Sequence, residues 1–537
     1  MNANGFATLD WIALGAYFAL LLASGVWFAR RTQRTTEDYF LGGRRMPVWA
    51  VAVSIVATSL SAASFIGVPE AGFRSDLTYL TTNLGLVIAA VIIAVFFIPA
   101  FYRSRVQTVY ELLGRRFGQP ATVATSAAYL VGRVMASGAR VYIGAIPASL
   151  VLFGDTQPLH LLGAIAVVSA VGIAYTFVGG VASVIWTDAI QMLVFVGACA
   201  LAVVLIRADI PASNADIIAA WSTGAPDGGS KLRLFDLSPD PSRQFTLLAS
   251  LVGFTLLGLA SYGADQDLVQ RMLTCKDAKR GSWSVISGIL LGIPSVALFL
   301  LVGLLLWIYY ARPDLMGENT PPSVPDDSRQ VFLRYIIDRL PPGVTGVMMA
   351  GLFAAALSSL NSTINAMSGA FINDLYRRIV PRRDERHYLR AGRAAVVATG
   401  LVLCAFASFC VFWQRAHDHA GGGGLLGFAL NVMVFAYAGI AAVFVTALFT
   451  RRGSNASVIA ALITGFIVVL VVQPNAMNLW TAWTTWARPL AGVSLAFPWQ
   501  LTLGFAAAFA VCLLGRAHPA NRDRGGAVPT SSNEPKP

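Results

Sequence analysis

The chain has 537 residues, of which 56% are hydrophobic and only 12% charged, with a mean hydropathy of +0.65. Soluble domains carry about twice that share of charged residues, so the composition excludes a soluble globular protein and implies a chain that lives in a bilayer. The net charge of +12 would suit a nucleic-acid binder, but its placement along the chain excludes that reading.

Apolar stretches near or above the ~18 residues that call a spanning helix recur from end to end. They lie near 9–29, 47–72, 79–102, 119–152, 159–177, 181–206, 245–266, 283–311, 343–374, 389–414, 424–449, 456–473 and 498–515, about thirteen in all. With the N terminus outside, basic residues gather in the loops that then face the cytoplasm. These are Arg30, Arg31, Arg34, Arg44 and Arg45; Arg103, Arg105, Arg115 and Arg116; Arg271, Lys276, Lys279 and Arg280; the run from Arg377 to Arg393; and Arg451 and Arg452. The opposite orientation would invert the bias, so the basic excess is a topology signal.

The expectation is an all-α polytopic membrane protein, with one transmembrane domain over 1–515 and a polar, disordered cytoplasmic tail over 516–537. It sits in a cell membrane of bacterial inner-membrane type, N terminus outside and C terminus cytoplasmic. Its surroundings are the lipid bilayer; it has no nucleic-acid partner and requires no oligomer. Five scattered cysteines with no CxxC argue against disulfides and thiolate metal sites.

Two spans read as interrupted. The second, VAVSIVATSLSAASFIGVPEAGF, has a small, hydroxyl-rich centre (Thr58, Ser59, Ser61, Ser64) followed by Gly67 and Pro69, which loosen the turn and remove a donor. The seventh ends GLASYGADQDLVQRML, where Gly258, Gly263, Asp265 and Asp267 weaken the helix. These two spans open successive sets of five, and broken helices at corresponding positions of two halves point to a transporter's binding site.

Polar groups at membrane depth are expensive unless they face something polar. The ninth span nevertheless carries Ser358, Ser359, Asn361, Ser362, Thr363 and Asn365, neutral oxygens that suit a hard monovalent cation or interhelical hydrogen bonding. Asp188, about two turns into the sixth span, needs a cation, an arginine or a proton. Arg133 and Arg140, seven residues apart and roughly on one helical face, suit either an anionic solute group or an internal salt bridge.

VATSLSAASFIG, GGVASVIWTDAIQ, ADQDLVQRML and AALSSLNSTINA, in this order and spacing, resemble the solute:sodium symporter family, which includes the sodium/glucose, sodium/proline, sodium/iodide and sodium-dependent vitamin transporters. The resemblance covers the chain from the first span to about the eleventh. It implies a 5+5 inverted-repeat, LeuT-like core as in the neurotransmitter:sodium symporters, with repeats near 47–206 and 245–449, one extra helix before and two after. It also implies Na+ as coupling ion, held by the carbonyls of Ala57, Leu60 and Ala355 and the hydroxyls of Ser358 and Ser359. A second sodium would use Asp188, Ser358, Asn361 and Ser362, with Asn361 standing where a hydroxyl is expected.

The solute pocket departs from the sugar-carrying members. The aromatic pair that closes theirs is matched by Ser261 and Tyr262, their sugar-contacting glutamine by Ser64, and their acidic residue by Asn83. These departures count against a hexose. Ser64, Thr82, Asn83, Tyr262 and Asn431, with Arg133 and Arg140, are the groups expected around the solute, and the arginines favour a small carboxylate. The function expected is secondary active, sodium-coupled symport of a small polar organic solute by alternating access. A proton-coupled relative of the same fold, carrying its proton on Asp188 or Asp265, is the nearest rival, and a solute sensor is another. A membrane enzyme is disfavoured, since HExxH, GxSxG and P-loop motifs are missing and all four lysines lie outside the spans.

Overall fold

The computed structural model describes residues 6–29, 35–317, 328–417, 425–474, 476–477 and 494–516. The tail beyond 516 therefore lies outside the described residues, as does part of the segment before the ninth span. Every described element is helical. In hydrocarbon each backbone N–H and C=O must be paired within its own segment, so continuous apolar runs become helices. We number them α1 (Thr8–Ala29), α2 (Val48–Ser59), α3 (Ala62–Arg74), α4 (Thr78–Arg103), α5 (Gln119–Phe153), α6 (Pro158–Phe177), α7 (Gly180–Asp209), α8 (Leu247–Ala264), α9 (Gln266–Leu273), α10 (Ala278–Ala311), α11 (Val344–Ile379), α12 (Glu385–His417), α13 (Leu425–Phe449), α14 (Asn455–Val471) and α15 (Phe497–Leu514).

Among the described residues, ten of these helices are long and apolar enough to cross a membrane by length and composition. The apolar segments that fall outside this group are α1, α14 and the broken α2–α3. Leu159 and Leu193 are 75% and 76% exposed, an outer surface that fits lipid rather than water.

Both expected interruptions are present, at closely matching backbone angles. The α2 helix stops before Leu60 (φ −88°, ψ 122°), and α8 stops before Asp265 (φ −90°, ψ 122°). The first break lies in the hydroxyl-rich centre of the span and not at the Gly67 and Pro69 that follow it. Both residues sit inside α3. A proline within a transmembrane helix is tolerated where neighbours re-satisfy the freed backbone groups, and α3 lies hard against α10 at this point. The second break follows a π-helical turn, Leu259–Ala264, which contains Gly263.

The α3–α10 contact brings the two backbones together. A Cβ on Gly303 would fall 2.1 Å from the Pro69 carbonyl oxygen, and one on Gly72 would fall 2.6 Å from that of Leu300. Elsewhere α11 packs along α7, α1 covers both, α13 and α14 lie against α5, and α15 packs on α13, α14 and α8. The segment between α7 and α8 forms a short helix, Asn214–Ser222, and is pinned to the end of α3. Lys231 Nζ donates to the carbonyls of Phe73 (3.0 Å) and Ser75 (2.6 Å), and Arg233 grips Asp76 through Nε and a terminal nitrogen (2.9 and 2.7 Å).

Gly303→Ala should cost about 1–3 kcal/mol, since the added methyl meets backbone rather than a movable side chain. It should lower the melting temperature of the detergent-purified protein by several degrees. Gly292→Ala, on the same helix with nothing within 4 Å of the new Cβ, should leave it unchanged or raise it.

Candidate functional site

Helix α2 ends with carbonyls in need of partners, because the last turn of a helix has no downstream amides. The Leu60 amide donates to Val56 (2.9 Å), and the Ser61 amide turns to Ser64 Oγ (3.4 Å) rather than to Ala57. Among the described residues no donor is directed at the carbonyls of Ala57 or Leu60. Helix α11 faces this end. Thr58 Oγ1 and Ser362 Oγ lie 3.3 Å apart, and Ala62 and Ala356 both crowd Gly144. Ser359 is buried and makes no side-chain hydrogen bond to a described residue, whereas Ser358 donates to Asp188 Oδ1 (2.6 Å). Two free carbonyls and two hydroxyls are a donor set suited to a monovalent cation.

The residues expected at a second ion site are close to one another but differently employed. Asp188 Oδ2 accepts from Ser54 Oγ (2.5 Å) and faces an Arg271 guanidinium nitrogen at 3.4 Å. The same nitrogen of Arg271 donates to Ser362 Oγ, so a guanidinium bridges the carboxylate and the hydroxyl. Asn361 is buried, and its Oδ1, which has no donor among the described residues, abuts Gly172 on α6.

Arg271 was read from sequence as a solvated cytoplasmic charge. It is instead 1% exposed and central to the core. Its Nε donates to Ser54 Oγ (2.8 Å) and a terminal nitrogen to Asp267 Oδ1 (2.9 Å). Asp267 in turn accepts from Thr363 Oγ1 (3.1 Å) and from Arg133, and Arg133 faces Asp265 at 3.4 Å. Asp265 accepts from Tyr437 on α13 (2.5 Å). A continuous buried chain thus runs from Asp188 through Arg271, Asp267, Arg133 and Asp265 to Tyr437, with three carboxylates and two guanidiniums. Of the alternatives open for Arg133, the internal salt bridge is the one observed.

Tyr437 and Arg133 also line a cavity at the α2 break, which the chain therefore connects to Asp188. Six expected solute residues border it: Ser64, Thr82, Asn83, Arg133, Arg140 and Tyr262. The seventh, Asn431, does not. Its amide donates to the Gly427 carbonyl of its own helix (2.9 Å), and that wall is made by Leu430 and Met433. Tyr79, Tyr437 and Thr58 border the cavity too and were not singled out from sequence as solute residues. Arg140 differs from Arg133 in having no carboxylate within ion-pair distance among the described residues; its guanidinium touches Met433 Sδ at 3.2 Å.

Removing one partner from a buried ion pair costs about 3–5 kcal/mol, because it strands the other charge. Arg271→Met should therefore abolish a monodisperse, detergent-stable peak in fluorescence-detected size-exclusion chromatography. Adding Asp267→Asn should recover part of that peak. A single variant that behaves like the wild type would contradict the assignment.

Comparison with known proteins gives the family and the fold. Residues 39–465 match the model of the sodium:solute symporter family, a span that includes both helix breaks, Asp188 and the α11 hydroxyls. The sodium/sialic acid symporter NanT of Aliivibrio fischeri is 29% identical, with 88% of this chain and 89% of that protein covered. Sodium-coupled monocarboxylate transporter 2 of Danio rerio is 29% identical over 78% of this chain and 64% of its own length. The solved structure of a Na+-coupled sialic acid symporter in a substrate-bound outward-open state superposes with a TM-score of 0.78 at 23% identity. It covers 95% of this chain and 97% of that one, and so shares the inverted-repeat fold. The chain belongs to the sodium:solute symporter family and is a multi-pass, sodium-coupled solute symporter.

Proposed function

We propose that the carried solute is a small organic carboxylate, held at its acidic group by Arg140. The observation that carries this reading is the guanidinium of Arg140 at the cavity wall, which meets no carboxylate among the described residues, while Arg133 and Arg271 are committed to aspartates. A bidentate guanidinium–carboxylate pair supplies both charge and orientation. Ser64, Thr82 and Asn83 offer hydroxyl and amide groups to the rest of the solute, and Tyr262 offers a ring face. Two relatives, named for sialic acid and for monocarboxylates, carry acids, which supports the same class.

Sodium enters the cycle at the α2 break. Bound by the carbonyls of Ala57, Leu60 and Ala355 and the hydroxyls of Ser358 and Ser359, it ties α2 to α11 and favours the form that presents the cavity outward. Loss of the ion to a cytoplasm low in sodium undoes the tie and lets the solute follow. Each charge that crosses contributes about 2.3 kcal/mol per 100 mV in addition to its concentration gradient. A second ion at Asp188, Ser358, Asn361 and Ser362 would have to displace Arg271 from Ser362. The N terminus lies outside and the C terminus in the cytoplasm of a bacterial inner membrane, in keeping with the basic loops. Residues 1–515 act as one transmembrane unit that transports rather than catalyses, works without a nucleic-acid partner and requires no oligomer.

The identifying experiment is thermal stabilisation of the purified protein by sugars, amino acids and small carboxylates, each in sodium and in potassium chloride. A carboxylate should stabilise in sodium alone; a sugar without an acidic group doing so would refute the reading. Arg140→Gln should raise the half-saturating carboxylate concentration roughly ten- to a hundred-fold, the scale of about 1.5–3 kcal/mol for a charged hydrogen bond.

Ser359→Ala should raise the half-saturating sodium concentration about ten-fold, the loss of roughly 1.4 kcal/mol of ligation, while leaving expression intact. Ser358→Ala should do so and also disturb Asp188. Unchanged sodium dependence in uptake assays would remove both serines from the ion site.

A further inference from the structure

At the basic end of the α2–α10 pair, a hollow is lined by Arg44, Arg45, Lys276 and Arg280 together with Pro47 and Val48. Two loops build it, joined by the Met46 amide donating to the Thr274 carbonyl (3.0 Å). The first loop turns tightly, with Gly42, Gly43 and Arg44 all at positive φ (58°, 61° and 54°). Arg44 is held in that conformation by the Val106 carbonyl (3.0 Å), Glu37 (3.1 Å) and the Tyr102 ring.

The charges of the hollow are not neutralised locally. Arg44 meets Glu37 and Arg280 lies 3.7 Å from Asp277, but Arg45 and Lys276 are exposed and pair with no carboxylate among the described residues. Helix α2 starts here behind Pro47, which offers no side-chain cap, so its first-turn amides add positive potential at the same place.

Depth in the membrane is marked by two tryptophans. Trp49, one residue into α2, is 58% exposed and packs edge-on against Trp186; Trp283, near the start of α10, is 55% exposed. Exposed tryptophans of this kind settle at the headgroup level, and these two lie near the starts of the two helices at the hollow, which puts it at the depth of the phosphates. A phosphodiester with two acyl chains satisfies both features, the free cations within and the indole rings beside them.

We propose that this hollow binds the head group of an anionic glycerophospholipid, its phosphate held by Arg45 and Lys276. Occupied in this way, it clasps the first turn of α2 to that of α10, on the half-helix whose other end carries the Ala57 and Leu60 carbonyls. Binding does not depend on which solute is carried, so its test stands apart from that of transport.

The test is native mass spectrometry of the detergent-purified full chain titrated with phosphatidylglycerol and with phosphatidylcholine of identical acyl chains. Phosphatidylglycerol should be retained at about ten-fold lower concentration. Arg45→Gln/Lys276→Gln should lose that preference, and Arg45→Lys/Lys276→Arg should keep it. Equal retention of the two lipids by the wild type overturns the proposal without recourse to any variant. Complete competition by millimolar inorganic phosphate or glycerol 3-phosphate would make this a soluble-anion site and overturn the lipid assignment.

Discussion

Asp188, Asp265 and Asp267 lie at membrane depth with 0–1% of their surface exposed, where an ionised carboxylate taken from water costs several kcal/mol unless it is paired. Their pairing requires groups from six helices to arrive together: Ser54 on α2, Arg133 on α5, Asp188 on α7, Asp267 and Arg271 on α9, Ser358 and Thr363 on α11, and Tyr437 on α13. Within a bilayer, apolar packing discriminates poorly among helix arrangements, since lipid tails are as apolar as leucine. A set of charges that must be matched discriminates well. The position of α2 against α11, and of the cavity against both, follows from satisfying these carboxylates.

That dependence explains what was legible in the sequence. The spanning helices were readable because the bilayer permits so little else for a long apolar run. The hydroxyls from Ser358 to Thr363 were readable for the complementary reason, that polar groups at that depth need a polar neighbour. Arg271 was not readable. QDLVQRML is amphipathic and polar, and such a stretch passes for a loop unless one knows that protein, rather than lipid or water, surrounds it on every side. Arg133 and Arg140 were indistinguishable, being one heptad apart on one face. What separates them is Asp267, 134 residues beyond Arg133, and such a pairing leaves no trace in local spacing.

Two smaller points have local causes. The second span gives way at Leu60 and Ser61, inside its hydroxyl-rich centre, while the Gly67 and Pro69 that follow stay within a helix. Only the accumulation of small hydroxyl residues around Leu60 and Ser61 marks the place. Asn431 does not border the cavity: an asparagine can satisfy itself on the carbonyl one turn back, and this one does.

The two helix breaks share their backbone angles and little else. At Asp265 every exposed need is met from within: the side chain caps the next helix by accepting from the Asp267 amide (2.9 Å), takes the Tyr437 hydroxyl and faces Arg133. At Leu60 the side chain is a hydrocarbon and the carbonyl has no described donor. A fold of mirrored halves is thereby given a sense of direction. One break closes on its own side chains, while the other leaves a carbonyl with no described donor at the end of α2 that faces α11.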